Sequence, residues 1–209
     1  MLGNIINTNV ADLIGTISSD MSFSHEIYGE QFYNFLIDVP RLSDTYDRLP
    51  ITISERLLND IDLNIGENVF VTGQIRSYNR MNNNGKSRLL LSVFCRDIRN
   101  TGEEDDIKNP NDIFLDGFLC KKPVYRTTPF GREICDLLLA VNRMYNKSDY
   151  IPCIAWGRNA RFCDKFTVGA HIRLWGRFQS REYQKKLDEE NIITRTAYEV
   201  SISKMEKLD

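Results

Sequence analysis

The chain has 209 residues, 42% of them hydrophobic, which suffices for one large or two small domains with a buried core. Its formal charge is −2, but residues 1–100 carry 9 Lys and Arg against 12 Asp and Glu, whereas residues 112–186 carry 14 against 7. This asymmetry favours a polyanion partner, although a solvated charged surface would also produce it. Because no apolar run could span a membrane and no secretory signal is present, we expect a cytoplasmic protein.

The residues that usually carry redox, metal or acid–base chemistry are sparse. The five cysteines lie mostly in apolar runs and form no CxxC pair, which indicates reduced core residues rather than a disulfide framework or a zinc site. The chain has two histidines, which argues against histidine-based catalysis and against a His-rich metal site. We therefore expect no cofactor and no metal.

The segments of the first half recur in order in the second half. For example, NIGENVFVTGQIRSY (64–78) resembles TVGAHIRLWGRFQSR (167–181). Six pairs of residues keep an offset of 102 or 103 positions: Gly15/Gly117, Gly29/Gly131, Arg41/Arg143, Pro50/Pro152, Gly66/Gly169 and Gly73/Gly176. Ordered markers at a near-constant offset indicate a tandem repeat of one domain. Within it, Gly73 and Gly176 suit a tight bend where a small barrel coils.

The repeat predicts two similar domains, at residues 9–98 and 111–206, joined by the polar, turn-forming segment RNTGEEDDIKNPND (99–112). The second copy has five predicted strands, near residues 112–121, 132–142, 149–157, 170–180 and 194–204. NARFCDKF predicts a short helix between the third and fourth strands. This is the plan of the OB-fold, a partly open Greek-key barrel. We therefore predict an all-β chain of two tandem OB-folds; a different five-stranded small barrel would also fit.

The predicted third strand of the second copy, YIPCIAW, carries different chemistry on its two faces. Because side chains alternate along a strand, Ile151, Cys153 and Ala155 share one face and suit the interior of a small barrel. Tyr150 and Trp156 share the outer face, which an OB-fold uses to bind oligonucleotides by stacking bases on aromatic rings. A helix or a partner subunit that covers these rings is the alternative interpretation.

Basic clusters lie at or beside the predicted strand connections, and each has an aromatic residue within reach. VYRTTPFGR, NRMYNK and SREYQKK are such segments, and arginines also follow the third strand. Aromatic platforms combined with cationic loops are what sequence-tolerant single-strand binding requires, and phosphate contacts make such binding salt-dependent. We predict that a nucleic-acid-binding surface contains Tyr150 and Trp156 together with Arg126, Arg132, Arg143, Tyr145, Arg158, Arg181, Tyr183, Lys185 and Lys186.

Three ordered blocks of the second copy resemble bacterial single-stranded DNA-binding proteins. KPVYRTTPFGREICDLLLAVNR is similar to that family's first-to-second-strand segment, YIPCIAWGRNA to its third strand, and GRFQSREYQ to its fourth strand and following hairpin. The resemblance covers residues 112–205 and implies a non-catalytic protein that protects single-stranded DNA in replication, recombination and repair. It implies base stacking for Tyr150, Trp156 and Tyr183. It also places basic residues near the groove, namely Arg126, Arg177 and Arg181.

The first copy keeps the scaffold and differs at the aromatic positions. Arg48, Ser54 and Arg80 stand where the second copy has its three stacking aromatics, and the loop MSFSHEIYG contains no arginine. We therefore interpret residues 9–98 as a degenerate OB-fold. It would serve assembly, bind a protein, or extend the groove weakly through Arg76, Tyr78, Arg80, Lys86 and Arg88.

Two other functions are compatible with the same fold. The acidic first half, and the absence from SISKMEKLD of the acidic-apolar tail that bacterial members carry, favour a protein–protein scaffold of a replication or primosome complex. An enzyme is the third interpretation. However, Asp136 and Asp149 have no partner at a chemical spacing, and no nucleophile motif or phosphate-cradling glycine loop is present. We therefore expect a protein that is not an enzyme.

The resemblance also implies an assembly. Members of the family typically present four OB-folds, and members with two per chain do so as homodimers, so we expect a symmetric homodimer. Single-stranded DNA is the expected partner, and replication or repair proteins are further ones, although the recruiting tail is missing. We expect no membrane association and a place in the nucleoid.

Overall fold

The structure is a computed structural model that describes residues 7–59, 61, 63–81, 85, 87–102, 109–186 and 192–208, without the side chains of residues 185, 186 and 192. Its strands are β1 (Asn9–Ile17), β2 (Ser22–Ile27), β3 (Glu30–Pro40), β4 (Tyr46–Ser54), β5 (Asn68–Met81), β6 (Ser87–Asn100), β7 (Asn111–Leu119), β8 (Val124–Thr127), β9 (Glu133–Arg143), β10 (Lys147–Trp156), β11 (His171–Lys186) and β12 (Ile192–Leu208). Helix α1 spans Arg158–Cys163, and two 3-10 turns span Glu55–Leu58 and Met144–Asn146. Within these ranges, no helix is long and apolar enough to cross a membrane.

Each half of the chain closes into a five-stranded barrel. In the first half the order around the barrel is β1-β5-β6-β4-β3, and β3 pairs back onto β1. In the second half it is β7-β11-β12-β10-β9, and β9 pairs back onto β7. The pairs β4–β6 and β10–β12 are parallel, and the other barrel pairs are antiparallel. This is the Greek-key arrangement of the OB-fold, so the predicted fold class is confirmed.

Two features of the barrels differ from the predicted outline. The short strands β2 and β8 were not expected, and each forms a hairpin with the strand that follows it. The β2–β3 turn uses Tyr28 and Gly29 with φ of 51° and 80°, the left-handed pair that a tight hairpin favours. In the first copy the helical piece is the single 3-10 turn Glu55–Leu58, whose N-cap Ser54 accepts a hydrogen bond from the Arg56 backbone N–H.

Two glycines at the same place in each barrel allow the sheet to bend. Gly73 and Gly176 follow irregularities in the strand register on β5 and β11. A Cβ at either position would overlap a carbonyl oxygen on the neighbouring strand, that of Phe94 or of Ser201. The bend expected from these glycines is therefore confirmed, and it depends on the absence of a side chain.

Strands β1 and β7 join the two barrels into one continuous sheet. They run antiparallel, from Asn9 opposite Leu115 to Leu13 opposite Asn111. Buried apolar side chains of both barrels form a single contiguous core, to which β1 contributes the inward-facing Ala11 and Leu13. The two copies are therefore related by an approximate twofold axis that passes between β1 and β7.

A buried carboxylate of the second copy holds the first copy in place. Asp149 on β10 is fully buried and accepts hydrogen bonds from Arg76 Nη1 and from the Ser77 backbone N, both at 2.8 Å. Arg143 Nη1 donates at 3.3 Å to Asp149 Oδ1, the oxygen that also accepts from Ser77. Arg76 and Ser77 belong to β5, so this carboxylate has its partners in both halves of the chain.

The first copy repeats this contact with the roles of the halves exchanged. Asp47 on β4, 1% exposed, pairs with Arg41 of its own half. It also accepts a 2.8 Å hydrogen bond from the Ser180 backbone N on β11. The two carboxylates thus fix the relative position of the barrels at two symmetric points.

Candidate nucleic-acid interface

The two faces of β10 have the predicted burial. Ile151, Cys153 and Ala155 are at most 2% exposed, whereas Tyr150 is 44% and Trp156 is 38% exposed. The division by alternation is therefore confirmed. In the described part of the chain, no helix covers the two rings, because α1 packs against the barrel through Ala160 and Cys163 instead.

Serines contact both aromatic residues of β10, through the ring of Trp156 and through the backbone of Tyr150. Trp156 Nε1 donates a hydrogen bond to Ser201 Oγ on β12 at 3.1 Å. The Tyr150 backbone N donates to Ser77 Oγ of the first copy at 2.7 Å, which places this ring at the boundary between the copies. The indole N–H is satisfied and the ring remains accessible, so its face is available to stack on a base.

Strands β8, β9, β10, β12 and β11 lie side by side in this order, and we call their outer surface the second-copy face. Two predicted arginines on it are paired with carboxylates. Arg126 Nε lies 2.8 Å from Asp136, whose hydrogen bond raises the pKa of the guanidinium, and Arg181 Nε lies 3.7 Å from Glu199. The Arg126–Asp136 pair is exposed on both sides, and exposed ion pairs contribute about 0–1 kcal/mol, so a phosphate can replace Asp136.

Other predicted cations have no such partner. Among the residues that the structure describes, no carboxylate lies within ion-pair distance of Arg132, Arg158 or Arg177. Arg177 lies opposite Ser201 in the β11–β12 register, next to the serine that anchors Trp156. These three guanidiniums are available to phosphate without the loss of an internal ion pair.

Three further predicted residues lie near the end of β11, namely Tyr183, Lys185 and Lys186. Tyr183 is half-buried near the end of β11, opposite Arg195 of β12. Lys185 and Lys186 continue β11, but their side chains lie outside the described residues.

Arg143 and Tyr145 lie away from the second-copy face. Arg143 faces Asp149 between the barrels, and Tyr145, 86% exposed, lines a groove on the side of the first copy. Tyr145 has a left-handed φ of 62°, which turns the β9–β10 connection outward. Of the first-copy residues expected to extend the groove, Lys86 is outside the described residues.

Several residues of this interface were missed by the sequence analysis. Ser201 and Glu199 alternate on β12 with the core residues Val200 and Ile202, so the predicted fifth strand contained the signal that they lie on the other side of the strand; Ser201 is partly exposed and Glu199 is buried beneath its neighbours. Gln179 Nε2 donates to Glu199 Oε1 at 2.9 Å and helps to hold that carboxylate near Arg181. The outer face is therefore a mixed surface of aromatic, basic and acidic groups.

The cysteines play no part in this surface. Of the five, Cys95, Cys135, Cys153 and Cys163 are buried and Cys120 is partly buried, and all are free thiols. Burial raises the pKa of the Cys95 thiol to about 12, so it stays protonated at neutral pH. Their predicted place in the core is confirmed for the four buried residues.

Comparison with known proteins gives consistent matches. The family described as "Single-strand binding protein family" matches residues 110–208. Single-stranded DNA-binding protein 1 of Staphylococcus aureus (strain COL) is 35% identical over 83 residues, which cover 36% of this chain and 50% of that protein. Single-stranded DNA-binding protein B of Bacillus subtilis (strain 168) is 31% identical over 86 residues, which cover 36% of this chain and 74% of that protein.

The chain thus spans about half the length of the Staphylococcus relative and about three quarters of the Bacillus one. A solved structure extends the likeness to both copies. The crystal structure of the wild-type single-stranded DNA binding protein from Thermus aquaticus superposes with a TM-score of 0.74 at 18% identity, covering 96% of this chain and 93% of that one. This likeness concerns the fold and includes the first copy, which the family match does not reach.

Proposed function

Because this chain belongs to the single-strand binding protein family, we propose that it binds single-stranded DNA without catalysis. Bases stack on the aromatic rings of the second-copy face, and Arg and Lys side chains hold the phosphates. The observation that carries the proposal is the exposure of Tyr150 and Trp156 on one strand, with arginines on the same face that have no carboxylate partner in the described part of the chain. Bound in this way, the protein protects single strands during replication, recombination and repair in the nucleoid.

The two copies have different roles in this proposal. Residues 111–206 form the main single-strand-binding domain, because they carry the exposed rings of Tyr150 and Trp156 and three arginines that have no carboxylate partner among the described residues. Residues 9–98 form the other OB-fold, which lacks aromatics at the family's stacking positions. This first copy supports the main binding domain through the buried carboxylate contacts. Each stacked base contributes on the order of 1–3 kcal/mol, so two or three rings and several phosphate contacts suffice for stable binding.

A second chain completes the assembly in this proposal. The outer side of β7 and β11 carries Phe114 and Trp175, with ring centroids 5.2 Å apart, and Phe118, 41% exposed. Packing of two such surfaces would form an isologous homodimer with four OB-folds. Analytical ultracentrifugation of the wild type and of Trp175→Glu tests it: we expect a dimer and a monomer, and identical masses would contradict the interface.

Titration of poly-dT at two salt concentrations tests the binding proposal. The chain has two tryptophans, and the Trp175→Phe variant leaves Trp156 as the reporter of the second-copy face. We expect strong quenching of fluorescence and an affinity that falls with salt, with a logarithmic slope of roughly −0.7 per neutralised phosphate. Absence of binding at low salt would overturn the proposed function and favour a protein partner for the exposed rings.

A further inference from the structure

Two short strands, β2 and β8, form the ends of the sheet. In the part of the chain that the structure describes, β2 pairs with β3 alone and β8 with β9 alone, so the outer edge of each strand has no neighbour. Five of the six residues of β2 and three of the four residues of β8 are exposed. An exposed edge presents backbone N–H and C=O groups that can pair with a strand of another molecule.

The two edges carry opposite charge at equivalent positions of the repeat. Residues 20–30 contain three acidic side chains and no Lys or Arg, whereas residues 121–132 contain four basic side chains and no Asp or Glu. We call these segments the acidic edge and the basic edge. Their charged residues are Asp20, Glu26 and Glu30 on the acidic edge and Lys121, Lys122, Arg126 and Arg132 on the basic edge. The pairs Asp20/Lys122 and Glu30/Arg132 keep the repeat offset of 102, so the charge is reversed between matched positions.

Four of these charges are exposed and lack an ion pair among the described residues. Asp20 and Glu26 have no Lys or Arg within ion-pair distance, and Lys121 and Lys122 have no carboxylate. The two lysines also lie outside the residues predicted to bind DNA. Opposite charges on another molecule can therefore pair with all four side chains without breaking an internal contact.

Each edge also exposes apolar side chains. Phe23 and Ile27 on β2 are 61% and 49% exposed, and Val124 on β8 is 56% exposed. Because β8 has four residues, a pairing along its length would span about 13 Å and provide a few backbone hydrogen bonds with apolar contacts beside them. These attractions do not distinguish one edge from another, so the choice of partner depends on charge.

Charge decides which edges can meet. Two acidic edges or two basic edges would place like charges side by side, which disfavours their association. An acidic edge and a basic edge attract each other, and antiparallel pairing, the more stable kind, places Glu26 near the end of β2 beside Lys122 ahead of β8. Within one chain β2 and β8 stand at opposite ends of the strand order and do not pair. The complementary edges therefore belong to different chains.

We propose that chains bound side by side on single-stranded DNA join through their edges, with the acidic edge of one chain paired to the basic edge of the next. Such a contact is heterologous and does not close, so it can repeat along the strand. The inference goes beyond the proposed function and rests on it only for the DNA that brings the chains together. It is also distinct from the proposed homodimer, whose surface lies on β7 and β11 in the middle of the strand order.

DNA is needed because each edge contact is small. A pairing of a few residues is weak between freely diffusing chains, but neighbours on one strand of DNA have a high effective concentration. The pairing uses the side of β8, whereas the second-copy face uses its outer surface, so both contacts can form together. The expected result is clustering of chains on long DNA, with no contribution of the edges to the affinity of a single chain.

The test separates the binding of one chain from the binding of neighbours. Glu26→Lys and Lys122→Glu each place like charges where the two edges meet. Asp44→Lys and Lys207→Glu make the same charge changes at exposed positions away from both edges. A labelled dT of about 30 nucleotides, the most that two OB-folds occlude, gives the affinity of one chain by fluorescence anisotropy. A gel-shift assay on long circular single-stranded DNA below saturation reports clustering.

We expect the wild type to saturate some DNA circles while others stay bare, and each edge variant alone to spread evenly, with neighbour contacts weakened by about tenfold or more. For the short oligonucleotide, each edge variant should match the control with the same charge change. An equal mixture of Glu26→Lys and Lys122→Glu should cluster again, because each variant presents the charge that the edge of the other requires. A folding defect cannot produce recovery in a mixture of two defective variants.

Three results would contradict the inference and leave the proposed function intact: an even distribution of the wild type at low salt, clustering by either edge variant alone, or no recovery in the mixture. Failure of the wild type to bind the short oligonucleotide would overturn the proposed function instead. Sedimentation without DNA at high protein concentration then tests the edges alone. Association of the wild type and of the mixture, but not of either variant, supports the contact, and equal masses in all samples contradict it.

Discussion

The two copies of the OB-fold have the same strand order, the same bulge before the glycine of their long strand and equivalent buried carboxylates, but their outer faces differ. In the second copy the aromatics stand on β10 and near the end of β11; in the first they stand on β6 and at an earlier position of β5. The barrel interior allows little substitution, because it is closely packed. The outer face accepts substitutions more readily, because surface side chains away from caps and ion pairs change stability little.

The largest expected effect concerns the framework that the two copies share, at the buried carboxylates between the barrels. Asp149→Ala leaves Arg76 and Arg143 without their common partner, and burial already lowers the pKa of Arg76. We expect a loss of about 3–5 kcal/mol in the free energy of unfolding, measured by urea denaturation. Asp47→Ala, which removes the partner of one arginine, should cost less. Equal losses would show that the two contacts are equivalent in spite of their different partners.

The difference between the outer faces is tested by matched substitutions at one position of the repeat. Trp156→Ala should weaken binding of a short dT oligonucleotide by roughly 1–3 kcal/mol, or about 5- to 160-fold, because a stacking platform is lost. Ser54→Ala, its counterpart in the first copy, should change the affinity little. Fluorescence anisotropy of a labelled oligonucleotide measures both. Equal losses from the two substitutions would contradict the division of roles.

A smaller effect concerns the way the tryptophan is held. Ser201→Ala removes the acceptor of the Trp156 Nε1–H hydrogen bond. We expect a loss of about 0.5–1.5 kcal/mol of stability and a weaker effect on affinity than that of Trp156→Ala. Thermal unfolding and the same anisotropy assay give the two values. An affinity loss as large as that of Trp156→Ala would mean that Ser201 itself contacts the DNA.

The smallest expected effect is an acid dependence specific to the first copy. A hydrogen bond from Arg48, opposed by burial, lowers the pKa of Asp38, and the two groups are 2.8 Å apart. Because the folded pKa is below the unfolded value of about 3.9, this stabilisation is complete above about pH 5 and is lost as pH falls through the folded pKa. Arg48→Gln should therefore destabilise the protein by up to about 1 kcal/mol at pH 6 and less at pH 3.

Urea midpoints of the wild type and of Arg48→Gln at the two pH values measure this dependence. Tyr150 occupies the equivalent position in the second copy and has no charge to pair with a carboxylate. Tyr150→Gln is thus the matched control, and its effect on stability should not change between pH 6 and pH 3. An equal destabilisation by Arg48→Gln at both pH values would contradict the Arg48–Asp38 ion pair as its cause.

The repeat and the period-two alternation were enough to predict the fold and the faces of β10. The spacing of Gly73 and Gly176 marked the bends, and Tyr150 and Trp156 emerged on the outer side as expected. These features depend on local pattern and on a constant offset, which one sequence contains. The prediction of the site was less complete, because each position of one copy was compared only with the equivalent position of the other copy.

What the sequence could not provide is the pairing of distant strands. Phe94 lies 40 residues from Ser54, and their adjacency depends on the β4–β6 register. Asp149 finds Arg76 across the boundary between the copies, 73 residues away. Contacts of this kind follow from the closure of the barrels and the pairing of β1 with β7, and neither is encoded in a local pattern.

The pairing of β1 with β7 within one chain has a consequence for how such a protein can change. When identical subunits pair, every substitution appears on both sides of the axis, so the outer face of one subunit cannot change without the same change in the other subunit. Here the polar connection between Asn100 and Asn111 keeps the two barrels at a high effective concentration, so their contact survives dilution. Each face is encoded separately, so a substitution in one barrel leaves the face of the other barrel unchanged.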